Sequence, residues 1–170
     1  MTDLIILATL LPCPRHGYHI KRQAGMILGQ ELLHNNLVYP LLRRFVANKW
    51  VTRKAVPGER GQTRQQYALT PLGRKELVNR LSQFTAQDAR AREGFRLRVG
   101  LFQLLEQEIR MRILDEREQF LRSRLERLNG IVANFAMDRY AAEVTSRSCA
   151  EAEGELEWIR HLRRIAKKEG

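Results

Sequence analysis

Side chains suited to nucleic acid are concentrated between residues 35 and 44 of this sequence. Asn35 and Asn36 each carry an amide that can pair with the edge of an adenine. Arg43 and Arg44 can pair with guanine in the major groove or with a backbone phosphate. A helix that begins at the asparagines would also favour phosphate at its N-terminus. These residue types therefore predict one short helix that reads DNA.

A second basic segment, PGERGQTR, spans residues 57–64. Its proline and two glycines are turn residues, and it lies between β-forming runs at residues 50–56 and 66–70. This pattern predicts a β-hairpin with a basic loop that follows the DNA backbone. We assign four side chains of the loop to that contact: Arg60, Gln62, Thr63 and Arg64.

Four helices are predicted to position these two segments. The first is an apolar run at residues 4–11 that Pro12 ends, and the second spans residues 17–28. The third begins at Asn35 or Asn36, either of which could cap it, and has Pro40 about one turn in. The fourth opens with Thr70 as its cap and runs to about residue 84. In the third helix we expect Leu37, Leu41, Leu42 and Phe45 to face the core, and Asn35, Asn36, Val38, Tyr39, Arg43 and Arg44 to face solvent.

The net charge of +11 favours a polyanionic partner, with nucleic acid first and an anionic membrane surface second. Residues 1–85 carry 13 basic and 4 acidic side chains, whereas residues 86–170 carry 17 and 15. Nearly all of the excess positive charge therefore belongs to the half that contains both basic segments.

The second half is predicted to be a helical arm. Residues 86–169 contain no proline, and apolar residues recur there at heptad spacing, with a break near residues 137–138 that would make two antiparallel helices. Such an apolar seam predicts a homodimer, and the chain divides into a DNA-binding domain at 1–85 and a dimerisation domain at 86–170. The residues assigned to dimerisation are Leu114, Leu121, Leu125, Leu128, Val132, Leu156 and Ile159.

Several functional classes are disfavoured. Two cysteines, no signal peptide and no apolar run near 20 residues indicate a cytoplasmic protein without a membrane span. No catalytic or phosphate-binding motif is present, so we predict neither enzymatic activity nor a cofactor. Cys13, His16 and His19 lack a fourth ligand, and we predict no metal site.

The motifs of this chain resemble those of the PadR family of transcriptional regulators, specifically its longer members. The resemblance is carried by HGYHIKR at 16–22, VYPLLRRF at 38–45, PGERGQTRQQYALTPLGR at 57–74 and ELEWIRHL at 155–162. It implies a mainly α fold with a small β-hairpin, a winged helix-turn-helix followed by an antiparallel helical arm. It also implies a dimeric repressor and a phosphate contact by Tyr39. Many family members have Gly-Thr-Leu-Tyr where this chain has Asn36-Leu37-Val38-Tyr39, so the operator is expected to differ.

The predicted function is sequence-specific binding of double-stranded DNA, in which a dimer occludes a promoter at an inverted-repeat operator. A small-molecule effector is compatible with the family but is not identified by these residues. Trp158 is interpreted as a packing anchor or, alternatively, as an effector contact. The alternative function is a protein-interaction module, for which a half of charge +9 would serve no purpose.

Overall fold

The computed structural model describes residues 1–29, 31–57 and 62–168. The chain forms two compact units, Met1–Gln83 and Phe84–Gly170. No helix in the described ranges has both the length and the apolar character that a bilayer crossing requires.

The first unit has the predicted winged helix-turn-helix order, with one short strand that the sequence pattern did not reveal. That strand has only two residues, too few to show an alternating pattern. The three strands form an antiparallel sheet in the order β1-β3-β2. The elements are α1 (Thr2–Thr9), β1 (Arg15–His16), α2 (Gly17–Ile27), α3 (Asn35–Ala47), β2 (Val51–Pro57), β3 (Thr63–Leu69) and α4 (Pro71–Ser82).

The apolar run at the start of the chain forms the centre of this unit. Four consecutive residues of α1, from Leu4 to Leu7, are buried, because α1 contacts both α2 and α4. A helix enclosed on more than one side needs apolar residues around most of its circumference, which explains the run.

The buried face of α3 differs from the predicted one at two positions. Val38 is fully buried and Leu37 is 42% exposed, the reverse of the expectation. The core residues Val38, Leu42 and Phe45 follow one another at spacings of four and three, the repeat of one helix face. Leu37 lies one residue, about 100°, away from that face.

The hairpin is longer than predicted, because β3 begins at Thr63 and pairs with β2 up to Pro57. Thr63 and Arg64 therefore belong to a strand, and the expectation that they lie in the loop was wrong. The predicted cap of α4 is confirmed, since the Thr70 hydroxyl accepts a hydrogen bond from Gly73 N at 2.9 Å.

The second unit consists mainly of two long helices. A 3₁₀ helix (Asp88–Arg90), α5 (Arg92–Val99) and a further 3₁₀ helix (Phe102–Leu104) precede α6 (Gln107–Asn134) and α7 (Arg139–Lys168). Contacts from Arg117 to Glu155 and from Gln107 to Ala166 fix α6 and α7 as an antiparallel pair. The break between them falls where the sequence predicted it. Asp138 accepts hydrogen bonds from the amides of Tyr140 and Ala141 and so begins α7.

Candidate nucleic-acid interface

An exposed polar stripe runs along α3 on the side away from the core. At about 100° per residue, Asn36, Tyr39 and Arg43 lie close together on the helix surface. Asn36 and Arg43 are exposed and Tyr39 is half-buried. The first turn of α3 carries no acidic residue, so its N-terminus presents a positive potential. This stripe combines an amide, a hydroxyl and a guanidinium with a favourable helix end.

Asn35 makes a contact that the sequence did not reveal. Lys21 of α2 is only 8% exposed, and its Nζ donates a hydrogen bond to Asn35 Oδ1 at 2.5 Å. The cap of α3 is His34, with no hydrogen bond from a side chain, so the prediction that an asparagine caps this helix was wrong. The N-cap position falls one residue before Asn35, and the amide of Asn35 is held by Lys21 instead.

Tyr39 packs against the first residue of α2. A Cβ added to Gly17 would lie 2.9 Å from Tyr39 Cε1 and 3.0 Å from its hydroxyl oxygen, so only glycine leaves room for the ring. Packing thus fixes the position of the ring, and Tyr39 is the half-buried member of the stripe. Packing and phosphate contact are both compatible with this placement.

Two arginines flank a buried tyrosine next to this stripe. Burial raises the pKa of the Tyr67 hydroxyl and the neighbouring Tyr39 adds to the increase, whereas Arg53 and Arg43 oppose it. The phenol of Tyr67 therefore stays neutral. Since α3 packs against β2, and the exposed Arg53 of β2 lies opposite Tyr67 in the sheet, the exposed surface of α3 continues onto β2.

Arg44 differs from Arg43 in its surroundings. It lies about 100° further around α3 and pairs with Asp3 of α1 at 3.1 Å, a carboxylate that Arg80 also contacts at 2.9 Å. Burial tends to raise the pKa of Asp3, but hydrogen bonding to the backbone and the charges of the chain's amino group, Arg80 and Arg44 lower it overall. Asp3 is therefore ionised, and Arg44 is already engaged within the chain.

The predicted hairpin contacts are only partly described. Gln62, Thr63 and Arg64 are exposed, and Arg64 is in register with Val56 on β2. Arg60 lies outside the described residues. Sequence reasoning missed Arg53 and Lys54, which are exposed on β2 opposite Tyr67 and Gln66. Two adjacent basic residues in a predicted strand were the available signal.

The apolar residues assigned to dimerisation divide into two groups. Leu114, Leu121 and Ile159 are buried within a single chain, so the expectation that they form the surface for a second subunit was wrong. Heptad spacing reported the packing of α6 on α7 instead. Leu125, Leu128 and Leu156 are half-buried, and Val132 is 52% exposed. Five exposed apolar residues lie where α6 ends and α7 begins. We call them the tip surface: Ile131, Val132, Phe135, Tyr140 and Val144.

Trp158 packs inside the second unit. Its ring meets Phe95 edge-on with a centroid distance of 5.7 Å. This contact with α5 agrees with a packing role.

The element order and the exposed basic third helix define the first unit as a winged helix-turn-helix. Residues 6–79 match the model of the transcriptional regulator PadR-like family. This match covers most of the first unit and agrees with the resemblance that the sequence motifs carry. The ELEWIRHL motif lies beyond the matched residues. None of the curated proteins matches the sequence.

Solved structures show limited similarity to the chain. Bacillus subtilis PadR in complex with operator DNA is 16% identical, with 96% of this chain and 98% of that one covered and a TM-score of 0.47. A transcriptional regulator of Thermoplasma acidophilum is 29% identical, with 46% and 74% covered and a TM-score of 0.42. RosR of H. salinarum is 29% identical, with 47% and 68% covered and a TM-score of 0.41. The likeness to the PadR-like family rests on the sequence match over residues 6–79.

Proposed function

We propose that the protein binds double-stranded DNA with sequence specificity and represses transcription. The observation that carries this proposal is the continuity of the α3 stripe with β2, because α3 packs against β2 and the exposed Arg53 lies opposite Tyr67. A helix with an unobstructed amide and guanidinium, beside a basic strand, fits a major groove and the adjacent backbone.

The proposed contacts are of two kinds, those to base edges and those to the DNA backbone. Asn36 and Arg43 point outward from α3 and are suited to base edges. Tyr39, Arg53 and Lys54 are suited to phosphate, as are the hairpin residues Arg60, Gln62, Thr63 and Arg64. Arg44 would have to leave Asp3 to reach DNA, so we rank its contribution below that of Arg43.

The regulator acts as a homodimer through the tip surface. Phe135 is 67% exposed, Tyr140 82% and Val144 66%, and all five residues of the tip surface lie within one stretch of 14 residues, from Ile131 to Val144. A cluster of this kind is stabilised by covering it, and a second copy of the chain is the partner that a symmetric repressor supplies. Two α3 helices about one helical turn apart would then read an inverted repeat and occlude a promoter.

The remaining features follow from this role. The protein acts in the cytoplasm and has no catalytic activity. Trp158 is a packing residue on Phe95 in this scheme.

Selection of random duplex DNA against the purified full chain tests the proposal. The recovered sequences should contain an inverted repeat, and affinity for it should fall steeply with salt. Asn36→Ala should relax the sequence preference, whereas Arg64→Ala should weaken binding to operator and scrambled DNA alike. No enrichment, together with no binding at low salt, would refute DNA binding and favour the protein-interaction module.

A further inference from the structure

The second unit contains a cavity of about 260 Å³ between its 3₁₀ helix at Asp88–Arg90, α5, α6 and α7. Four arginines and two glutamates line it, which gives the lining a formal surplus of two positive charges. The charged residues are Arg90, Arg92, Arg117, Arg124, Glu151 and Glu155.

Both glutamates are neutralised by arginines. Glu155 pairs with Arg117 at 2.7 Å and with Arg92 at 3.5 Å. Glu151 pairs with Arg92 and with Arg147, each at 3.1 Å. Hydrogen bonds from Arg92 and Arg147 lower the pKa of Glu151, so this carboxylate remains ionised and engaged. The acidic side chains of the cavity therefore have their partners within the chain.

The surplus charge resides on Arg90 and Arg124. Both are exposed, and neither guanidinium forms a hydrogen bond or an ion pair with any residue in the described part of the chain. Two uncompensated guanidinium groups on one small cavity repel each other, and an anion between them would remove that repulsion. A guanidinium also binds a carboxylate or phosphate through two parallel hydrogen bonds.

The cavity also limits the size of its ligand. Ligand pockets for drug-sized molecules have volumes of roughly 300–1,000 Å³. A cavity of about 260 Å³ lies just below this range and has room for a small dianion. The hydroxyl of half-buried Ser148 on its wall offers one further donor.

We propose that this cavity binds a small dianion, either a dicarboxylate or a phosphate, between Arg90 and Arg124. The paired glutamates hold Arg92 and Arg117 in place, and the two unpaired arginines supply the affinity. The ligand would connect the 3₁₀ helix to α6 and so stabilise the second unit. The proposal does not depend on DNA binding.

Calorimetric titration of the full chain at low ionic strength provides the test. The probes are succinate, inorganic phosphate and succinamide, the last being the uncharged analogue of succinate. At least one dianion should bind and should raise the unfolding temperature, whereas succinamide should do neither. Preference for succinate or for phosphate identifies which kind of dianion the site takes.

Arg90→Gln/Arg124→Gln should weaken dianion binding at least tenfold. Arg139→Gln/Arg164→Gln removes the same charge from exposed positions of α7 outside the cavity and should leave the affinity within a factor of two. Equal losses in the two double variants would overturn the site, as would failure of both dianions to bind the unmodified chain. If Arg90→Gln/Arg124→Gln does not fold, the dianion affinity of Arg124→Gln alone is measured in its place.

Discussion

Lys21 Nζ donates a hydrogen bond to Asn35 Oδ1 at 2.5 Å, and this bond determines what Asn35 can offer to DNA. An ammonium group only donates, so one of the two lone pairs of the amide oxygen is engaged and the oxygen is held toward Lys21, while the NH₂ group of Asn35 remains as a pair of donors. Recognition of adenine by one amide requires both its donor and its acceptor. Asn35 is therefore suited to acceptors such as phosphate or a guanine edge, and Asn36 is the better residue for adenine.

Replacing Lys21 by methionine tests this relationship. Lys21→Met removes the donor but keeps an unbranched side chain, so Asn35 loses its orientation. We expect the affinity for operator DNA to fall about fivefold, the equivalent of one hydrogen bond of about 1 kcal/mol. Arg22→Met removes the same charge from the neighbouring exposed residue of α2 and is the matched control. Fluorescence anisotropy measures both, and equal losses would mean that only the charge of Lys21 matters.

The α3 stripe is expected to read base edges, whereas β2 contacts phosphate. Arg43→Gln should therefore relax the sequence preference, whereas Arg53→Gln should weaken binding to all sequences and reduce the salt slope of log Kd by about one unit. Arg74→Gln is the control, because it removes the same charge from an exposed position of α4 next to the segment around Pro12. Titrations at four salt concentrations measure the slopes. A reduction by Arg74→Gln as large as that by Arg53→Gln would contradict the assigned surface.

The tip surface is predicted to carry dimerisation. Val132→Glu/Phe135→Glu places two charges where a subunit interface would bury them, at a cost of several kcal/mol. We expect the dimer dissociation constant to rise at least about a hundredfold, because each 1.4 kcal/mol is a factor of ten. Sedimentation equilibrium measures it.

Both of these side chains are more than half exposed in one chain, so circular dichroism should report an unchanged fold. Ala150→Glu, at an exposed position of α7 away from the tip, should leave the dimer intact. If the Val132→Glu/Phe135→Glu variant stays dimeric, the dimer interface does not lie at the tip surface.

The fold was largely readable from the sequence because its strongest signals are local. Pro12, Thr70-Pro71 and the break before Asp138 mark element ends through the fixed geometry of proline and through side-chain caps. The face of α3 was harder to assign, because Leu37 and Val38 are both apolar and only the packing decides which is buried. Heptad spacing in α6 has the same ambiguity, since a seam for α7 and a seam for a second chain look alike.

The site was predictable where residue type decides it and not where tertiary contacts do. Asn36 and Arg43 are exposed as expected. The pairing of Arg44 with Asp3 joins residues 41 positions apart, and no local pattern reports it. The same holds for Lys21 and Asn35.

Gly73 is predicted to be essential for the stability of the first unit. A Cβ at this position would overlap the carbonyl oxygen of Trp50 and lie 2.8 Å from its carbonyl carbon, so the backbone itself would have to move. We expect Gly73→Ala to destabilise the protein by roughly 2–4 kcal/mol, as a buried steric clash does. Gly130→Ala is the control, because no atom lies within 4 Å of its added Cβ and alanine favours the helix by about 1 kcal/mol. Thermal unfolding should move the two variants in opposite directions.

The buried ion pair between Arg117 and Glu155 is predicted to depend on both partners. Arg117 is 2% exposed and Glu155 9%, and their Nε and Oε1 atoms are 2.7 Å apart. Arg117 also donates a hydrogen bond to the carbonyl of Ala89 and lies over the rings of Phe95 and Phe120. Its removal leaves a buried carboxylate with only Arg92, at 3.5 Å, to compensate it.

Arg117→Met should therefore destabilise the second unit by about 3–5 kcal/mol, the usual cost of breaking a buried pair. Arg117→Met/Glu155→Leu removes both charges, and since a buried pair repays its desolvation poorly, much of that loss should be recovered. Arg122→Met breaks an exposed pair with Glu118 on the same helix and should cost below about 1 kcal/mol. Urea unfolding of the four proteins gives the free energies. If the double variant is less stable than Arg117→Met, the contacts of Arg117 with Ala89 and the two rings, rather than its charge, hold the unit together.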